Sequence, residues 1–348
     1  MHADVAGALH IARLASTFNW TWTHQNLDSF CRVAGWTRPA VGESHMLLAT
    51  ALDLVYPRAF AHTNGGSVSG IAKTGISVIS VPVSGQSTAS GSGWFESDGD
   101  AFAAIAQRLM GLFGSSDRYA TGPVQAITWL GLASVVVSLE VSDGEIVLWL
   151  RNPRYQDWLD NAIEVEADDE DEDEEFYADR DSDSGKGQIN DNIAGVTTAQ
   201  VSSTDWRLLS RGLVKTLVRM PYHQVLILSA PGERFIQFEF LHHARRGVEL
   251  LCQIAPNTEI DHRFRMSTAG EDQLEAGGWA RPQEDGDNWR KSISWPAMRS
   301  DYDALATNAL SILRDNLHVA NPAQLSVEAW INWSSRLPDL TDLDIDIE

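Results

Sequence analysis

The stretch that decides the fold is VLILSAPGERFIQFEFLHHARRGVELLCQI, residues 225–254. In its middle part the apolar residues Ile236, Phe238 and Phe240 alternate with other residues. This period of two is typical of a β-strand with one buried face, because successive side chains of a strand point to opposite sides. The middle part therefore predicts a strand whose other face is partly exposed.

Two more strands are predicted, one on each side of it. The apolar run Val225 to Leu228 comes first, and Pro231-Gly232, a pair typical of tight turns, separates it from the middle strand. The later run Val248 to Ile254 again has apolar residues at every second position. Three short strands in succession predict an antiparallel meander, covered on one face and partly exposed on the other.

Helical patterns flank the meander. Before it, apolar residues at helical spacing predict a helix that begins near Ser203 and ends before Pro221. After it, we expect a helix over 267–276, a strand over 288–295 and a helix capped by Ser300. The predicted order is α-β-β-β-α-β-α. Strands grouped between helices indicate an α+β domain rather than a parallel sheet with crossover helices.

The N-terminal half predicts a second α+β domain. Thr23 begins a helix that ends at Gly35, and a longer helix ends at Gly114. Asp143-Gly144 lies between two apolar runs, which is typical of a two-residue β-hairpin. The fold class that we expect is therefore α+β with two domains, each an antiparallel sheet packed on one face by helices.

Most of the net negative charge lies in two segments. The formal net charge is −22, and residues 164–184 contain thirteen acidic residues and one basic residue. Such a segment cannot collapse, because like charges repel and little apolar surface is available. We expect domains at 1–160 and 202–337, an acidic disordered linker at 161–201 between them and an acidic tail at 338–348. Whether the linker is functional or only a spacer stays open.

The composition also limits which classes of partner and which cellular compartment we expect. No basic face is visible, so we expect no nucleic-acid partner. No apolar stretch is long enough to cross a bilayer, and the N-terminus lacks the pattern of a secretory signal. The two cysteines, Cys31 and Cys252, are too few for a disulfide framework. These observations predict a cytoplasmic protein that does not bind membranes.

The sequence contains no compact catalytic motif. A P-loop, a dinucleotide fingerprint, a GxSxG elbow and an HExxH zinc motif are all absent from it. His242 and His243 are adjacent on a predicted strand, so their side chains point to opposite faces and would not chelate one ion. Cys31 and Cys252 fall at apolar positions and are interpreted as core thiols. We therefore predict no catalytic, cofactor-binding or metal-binding residue.

Thirteen tryptophans are the most informative excess in the composition. Large amphipathic rings serve both as core residues and as anchors of protein interfaces. Four of them lie in polar surroundings late in the chain and are the candidate partner-binding residues: Trp289, Trp295, Trp330 and Trp333. Burial of these rings in the core is the competing interpretation and the favoured one.

Short motifs in the two halves resemble two families. The N-terminal motifs are Trp20-Thr21-Trp22-Thr23, Phe30-Cys31-Arg32 and Ala34-Gly35-Trp36. They resemble an uncharacterised actinobacterial domain family over residues 8–160. The C-terminal motifs are Phe235-Ile236-Gln237-Phe238, Gly278-Trp279 with Pro282, and Asn288-Trp289. With the helices around them, they resemble the TY-Chap family of peptide chaperones, which are similar to YbjN proteins and type III secretion chaperones, over residues 203–335.

The resemblance to TY-Chap proteins implies that a client polypeptide binds on a sheet face or in a groove. Together with the missing catalytic motifs, it favours a non-enzymatic module, an ATP-independent chaperone or adaptor for a secreted or toxin-like polypeptide. An immunity protein that neutralises a folded toxin is the alternative, and an enzyme with a non-local active site is the third hypothesis. The sequence names neither the client nor the oligomeric state.

Overall fold

The computed structural model describes residues 2–41, 45–63, 68, 71, 73, 75–85, 93–122, 124–170, 195–243, 247–284, 286–332, 334 and 337–347. The described chain has two antiparallel sheets with helices and divides into two compact units. The first unit contains Met1–Ser87, Gly111–Arg118 and Ala126–Asn192, and the second contains Thr88–Met110, Tyr119–Gln125 and Ile193–Glu348. The predicted α+β class is confirmed. The second unit includes two segments from the first 160 residues, which the predicted domain boundaries assign to the N-terminal domain.

The described residues form seven α-helices: α1 (Val5–Thr17), α2 (His24–Ala34), α3 (Gly93–Phe113), α4 (Pro153–Glu170), α5 (Trp206–Arg219), α6 (Thr268–Ala276) and α7 (Arg299–Ser311). Thr23 caps α2, and Gly35 ends it in the left-handed conformation, as predicted. Helix α7 begins one residue before its predicted cap, Ser300. The reason is that the Asp301 carboxylate accepts a hydrogen bond of 3.0 Å from the Met298 N–H, which moves the cap to Met298.

The first sheet has eight strands: β1 (Thr37–Val41), β2 (His45–Ala49), β3 (Arg58–Thr63), β4 (Ile76–Pro82), β5 (Arg118–Ala120), β6 (Ala126–Leu132), β7 (Val135–Ser142) and β8 (Glu145–Arg151). Their order in the sheet is β1-β2-β3-β4-β8-β7-β6-β5. Asp143 and Gly144 join β7 to β8 with φ of 49° and 75°. Two positive φ values are what the type I′ hairpin turn requires, so the predicted hairpin is confirmed.

The middle of the first sheet is buried on both faces, which differs from the predicted half-covered sheet. Every residue of β4 is buried, including Ser77 and Ser80. Their hydroxyls donate hydrogen bonds of 3.1 and 3.5 Å to the main-chain oxygens of His62 and Phe60 in β3. Ser77 and Ser80 are three residues apart and so point to opposite faces of the strand. Because these bonds satisfy both hydroxyl groups, neither serine marks an exposed face here.

The second sheet has seven strands: β9 (Thr197–Val201), β10 (Gln224–Ala230), β11 (Arg234–His243), β12 (Gly247–Ile254), β13 (Trp289–Ser294), β14 (Ser326–Ile331) and β15 (Ile345–Ile347). Their order is β13-β12-β11-β10-β14-β9-β15. The predicted meander is β10, β11 and β12, and the predicted order α-β-β-β-α-β-α runs from α5 to α7. Three strands that were not predicted, β9, β14 and β15, extend the sheet.

The sequence around the two acidic segments is more ordered than predicted. Helix α4 continues to Glu170 and β9 begins at Thr197, so the predicted linker 161–201 is structured at both ends, and residues 171–194 lie outside the described residues. The predicted tail 338–348 contains a short 3-10 turn and β15. Leucines between the aspartates supply buried apolar surface there, which a count of charges does not detect.

Replacing a core residue of the meander should destabilise the second unit. Phe238→Ala removes a fully buried ring that pairs across the strands with Leu226 and Cys252. We expect the free energy of unfolding to fall by about 3–5 kcal/mol, measured by calorimetry and urea denaturation. The control Gln237→Ala changes the neighbouring, half-exposed position and should stay within about 0.5 kcal/mol of wild type. Equal losses for the two variants would contradict the assignment of faces.

Candidate functional site

The two faces of the second sheet differ in burial. On one face Leu226, Phe238, Cys252 and Ile254 are all fully buried. On the other, β11 exposes every second residue in part, so that its burial alternates from Arg234 to Leu241. The sequence predicted this difference from the alternation in β11. We call this half-exposed side of the second sheet the open face.

The open face is organised in two rows that cross five strands, because the strand registers place single residues side by side. One row holds Trp330, Val225, Glu239, Leu251 and Ser292. The next row holds Glu328, Ile227, Gln237, Gln253 and Arg290. Neighbouring strands lie about 4.8 Å apart, so each row is roughly 19 Å long. The rows combine an aromatic ring, aliphatic side chains and hydrogen-bonding groups, the chemistry that an extended polypeptide can match.

A chain of hydrogen bonds fixes the polar groups in the middle of the open face. The Asn288 side-chain amide donates to the Gln253 oxygen at 2.8 Å, and the Gln253 amide donates to the Glu239 carboxylate at 2.8 Å. Burial nevertheless raises the pKa of Glu239 above its ordinary value, because desolvation outweighs the hydrogen bonds and the charge of Arg290. Glu239 thus presents a partly dehydrated, oriented acceptor to any group placed on this face.

A second polar cluster lies on the open face near the start of β12. The two oxygens of Glu249 are bound separately, one by His243 Nε2 at 2.8 Å and the other by the Ser292 hydroxyl at 2.9 Å. His242 lies on the other side of β11, where its ring stacks on Tyr119 at 5.3 Å. The two histidines therefore have different neighbours. In the described part of the chain no three His, Cys, Asp or Glu side chains are grouped to hold a metal ion.

The four candidate tryptophans do not lie together. Trp289 and Trp295 are 1% and 4% exposed, and the Phe102 ring of α3 lies 6.3 Å from Trp295 within the second unit. Such burial leaves almost no atoms for a partner. Trp330 is half-buried in the open face, where its indole N–H donates to Asn332 Oδ1 at 2.9 Å. Trp333 lies outside the described residues.

The alternation of Ile236, Phe238 and Phe240 implies that Glu239 lies on the less covered face, but the sequence did not single out Glu239 or indicate Val225 as its neighbour. Val225 is 4% exposed and lies between Trp330 and Glu239. Its surroundings depend on β14, a strand that the sequence did not predict. The signal for β14 was present, since Val327, Ala329 and Ile331 alternate with more polar residues. The run is six residues long, too short to be separated from the region of the last helix by pattern alone.

The remaining candidates for a functional site are the two thiols, one in each unit, and a pocket in the first unit. Burial raises the pKa of Cys31 to about 11 and raises that of Cys252 well above its ordinary value, so both thiols stay protonated at neutral pH. A pocket of about 330 Å³ is lined by eight residues, among them Trp20, Trp22, Asn152 and Arg154. The two indoles stack at 4.6 Å. None of the described helices is both long and apolar enough to span a membrane.

The second unit is an α+β module whose sheet has one covered face and one half-exposed face of mixed chemistry. It therefore belongs to the class of modules that present a sheet surface. Residues 199–331 match the model of the TY-Chap3 family, described as T3SS (YopN, CesT) and YbjN peptide-binding chaperone 3. Residues 6–152 match a family of unknown function, DUF6301. Both resemblances proposed from the sequence are therefore confirmed. No curated protein and no solved structure matches the chain significantly.

Neutralising Glu239 should stabilise the second unit in a pH-dependent way. Glu239→Gln keeps an acceptor for the Gln253 amide and removes a carboxylate whose ionisation burial disfavours. Because its folded pKa is raised, the wild type loses stability as pH rises through that pKa. The thermal midpoint of the variant should equal that of wild type below about pH 4 and exceed it by a few degrees at neutral pH.

The control for this measurement is Glu328→Gln, which removes one negative charge from an exposed position of the same face. It separates burial of a carboxylate from the general effect of net charge. An equal gain in midpoint for both variants, or a gain for Glu239→Gln that is largest at acidic pH, would contradict the assignment.

Proposed function

We propose that the second unit is an ATP-independent chaperone or adaptor that holds an extended segment of a client polypeptide on the open face. The observation that carries this proposal is the match of residues 199–331 to a peptide-binding chaperone model, since that range runs from β9 to β14 and includes the five strands of the open face. The client is a secreted or toxin-like polypeptide, the chain works in the cytoplasm, and it catalyses no reaction.

The chemistry of the two rows supports an extended client. A strand laid on the open face presents alternate side chains to it. Both rows offer hydrogen-bonding positions, and the half-exposed Ile227 of the second row offers an aliphatic one. Trp330 supplies the largest half-exposed ring, and Val225 beside it forms a closed apolar floor. Large rings beside well-packed neighbours are the usual energetic centres of interfaces. Trp330 is therefore the anchor that we assign to the client.

The edge strand β13 offers a second way to hold an extended segment. The main-chain groups of Arg290 point outward and pair with Ala280 at 2.7 and 3.1 Å. By the alternation of an antiparallel strand, the N–H and C=O groups of Ser292 and Ser294 point to the same outer side. A client strand that follows the open face to this edge can continue as an added strand of the sheet.

The test uses the full chain and an unfolded polypeptide without added nucleotide. Fluorescein-labelled lactalbumin, reduced and carboxymethylated so that it stays unfolded, is titrated with the protein and followed by fluorescence anisotropy. We expect saturable binding, and Trp330→Ala should weaken it about tenfold or more because truncation of an anchor costs about 2 kcal/mol. Labelled native lactalbumin should not bind.

The matched control is Trp158→Ala, which removes an indole of the first unit that is 37% exposed. It should bind the unfolded polypeptide with wild-type affinity. Unchanged binding by a folded Trp330→Ala variant would refute the assigned anchor. Failure of the wild type to bind any unfolded polypeptide, together with tight binding of a folded toxin, would favour the immunity-protein hypothesis instead.

A further inference from the structure

The segment 337–347, which begins one residue before the predicted tail and is called the tail from here on, occupies the edge of the second sheet opposite to β13. Its strand β15 pairs antiparallel with β9, and Ile345 lies beside Val201. The main-chain oxygen of Asp344 accepts two hydrogen bonds from Ser202, one of 3.1 Å from its N–H and one of 2.7 Å from its hydroxyl. The TY-Chap3 match ends at residue 331, so the tail lies outside the part of the chain that the family model covers.

Apolar side chains seat the tail against the second unit. Leu340 is 3% exposed and Leu343 is fully buried, whereas Leu337 at the start of the tail is 63% exposed. The 3-10 turn Thr341–Leu343 packs on α5 at Gly212. A Cβ at position 212 would lie 2.1 Å from the main-chain oxygen of Asp342, far inside van der Waals contact. The helix therefore has a notch at Gly212 that admits a peptide main chain.

Basic side chains of α5 bind the carboxylates of the tail. Arg219 binds Asp342 at 2.8 Å and also contacts Asp339, and Lys215 lies 3.8 Å from Asp342. Asp342 is only 17% exposed, so solvent screens this pairing less than it screens a fully exposed ion pair. The groove between β9 and α5, which we call the tail groove, thus recognises three features of a peptide: main chain, leucines three residues apart and aspartates beside them.

We propose that the tail groove is a second peptide-binding site, and that the tail is its built-in ligand. The external ligand is an acidic client segment with two leucines three residues apart and an aspartate next to each, the pattern of the tail itself. The inference goes beyond binding on the open face and uses other residues. A three-residue strand and one helical turn are small elements, so a client present in excess displaces the tail.

Displacement also matches the position of β15 at a sheet edge. Edge strands expose main-chain hydrogen-bonding groups that attract other strands, and proteins cover such edges to prevent unwanted pairing. Here the cover is a segment of the chain that lies outside the family match and carries its own charge. The tail therefore protects the groove of the free protein and is exchanged for a client of the same chemistry.

The test uses a fluorescein-labelled synthetic peptide of residues 337–348 and the full chain. Leu343→Asp should release the attached tail, because it places a charge at a fully buried position. This variant should bind the peptide at least tenfold more tightly than wild type in anisotropy titrations. The double variant Leu343→Asp/Gly212→Ala should lose that gain, since the added methyl group fills the notch while alanine favours the helix. Leu337→Asp, at the exposed tail position, should bind the peptide as the wild type does.

Several outcomes would overturn the proposal. One is a folded Leu343→Asp chain that binds the peptide no more tightly than wild type, and another is a gain that survives Gly212→Ala. A dimer of the wild type held together by exchanged tails, seen by size-exclusion chromatography, would replace the external ligand by a second copy. If Leu343→Asp does not bind the peptide while Trp330-dependent binding of unfolded lactalbumin persists, this inference is refuted and the proposed function stands.

If Leu343→Asp does not fold, hydrogen exchange of the wild type decides. The amides of β15 should then exchange at least a hundredfold faster than those of β10, and an excess of the free peptide should not alter exchange in β10. Equal protection of β15 and β10 would show that the tail is an integral strand of the sheet, which refutes the proposal.

Discussion

The pairing of β14 with β10 is the interaction on which the rest of the second unit depends. Six residues of each strand are in register, from Gln224 opposite Ile331 to Ser229 opposite Ser326. The strands β9 and β15 join the sheet only through β14, because the order continues β10-β14-β9-β15. The same pairing places Trp330 beside Val225 and so completes the open face. One strand thus supports both the candidate client surface and the edge that carries the tail.

The local part of this architecture could be predicted from the sequence. The meander, the hairpin at Asp143-Gly144 and the capped helix α2 all arise from residues close together in the chain, where period and turn chemistry are informative. The strands β9, β14 and β15 could not be predicted in the same way. Each is short and finds its partner far away in the sequence, so tertiary pairing decides its conformation more than its own short pattern does.

The candidate site was predictable only in outline. Alternation in β11 correctly separated a covered face from a partly exposed one, but the choice of tryptophans rested on polar sequence neighbours. Trp289 is buried although Arg290 follows it, since Arg290 lies on the opposite face of β13 and says nothing about the burial of the indole. The high density of acidic residues likewise gave no indication that the tail is ordered. Aspartates around Leu340 and Leu343 suggested a solvated segment, whereas Arg219 and the notch at Gly212 are visible only once α5 and the tail are folded together.

The central position of β14 has a consequence for biosynthesis. A nascent chain can form the meander β10–β12 as soon as residue 254 has left the ribosome, but the strand that lies next to β10 arrives only after residue 331. Until then one side of β10 is an unprotected strand edge, able to pair with other nascent segments. Contacts between distant residues also slow folding. A protein of this architecture therefore spends part of its own synthesis in a state that itself benefits from chaperone protection.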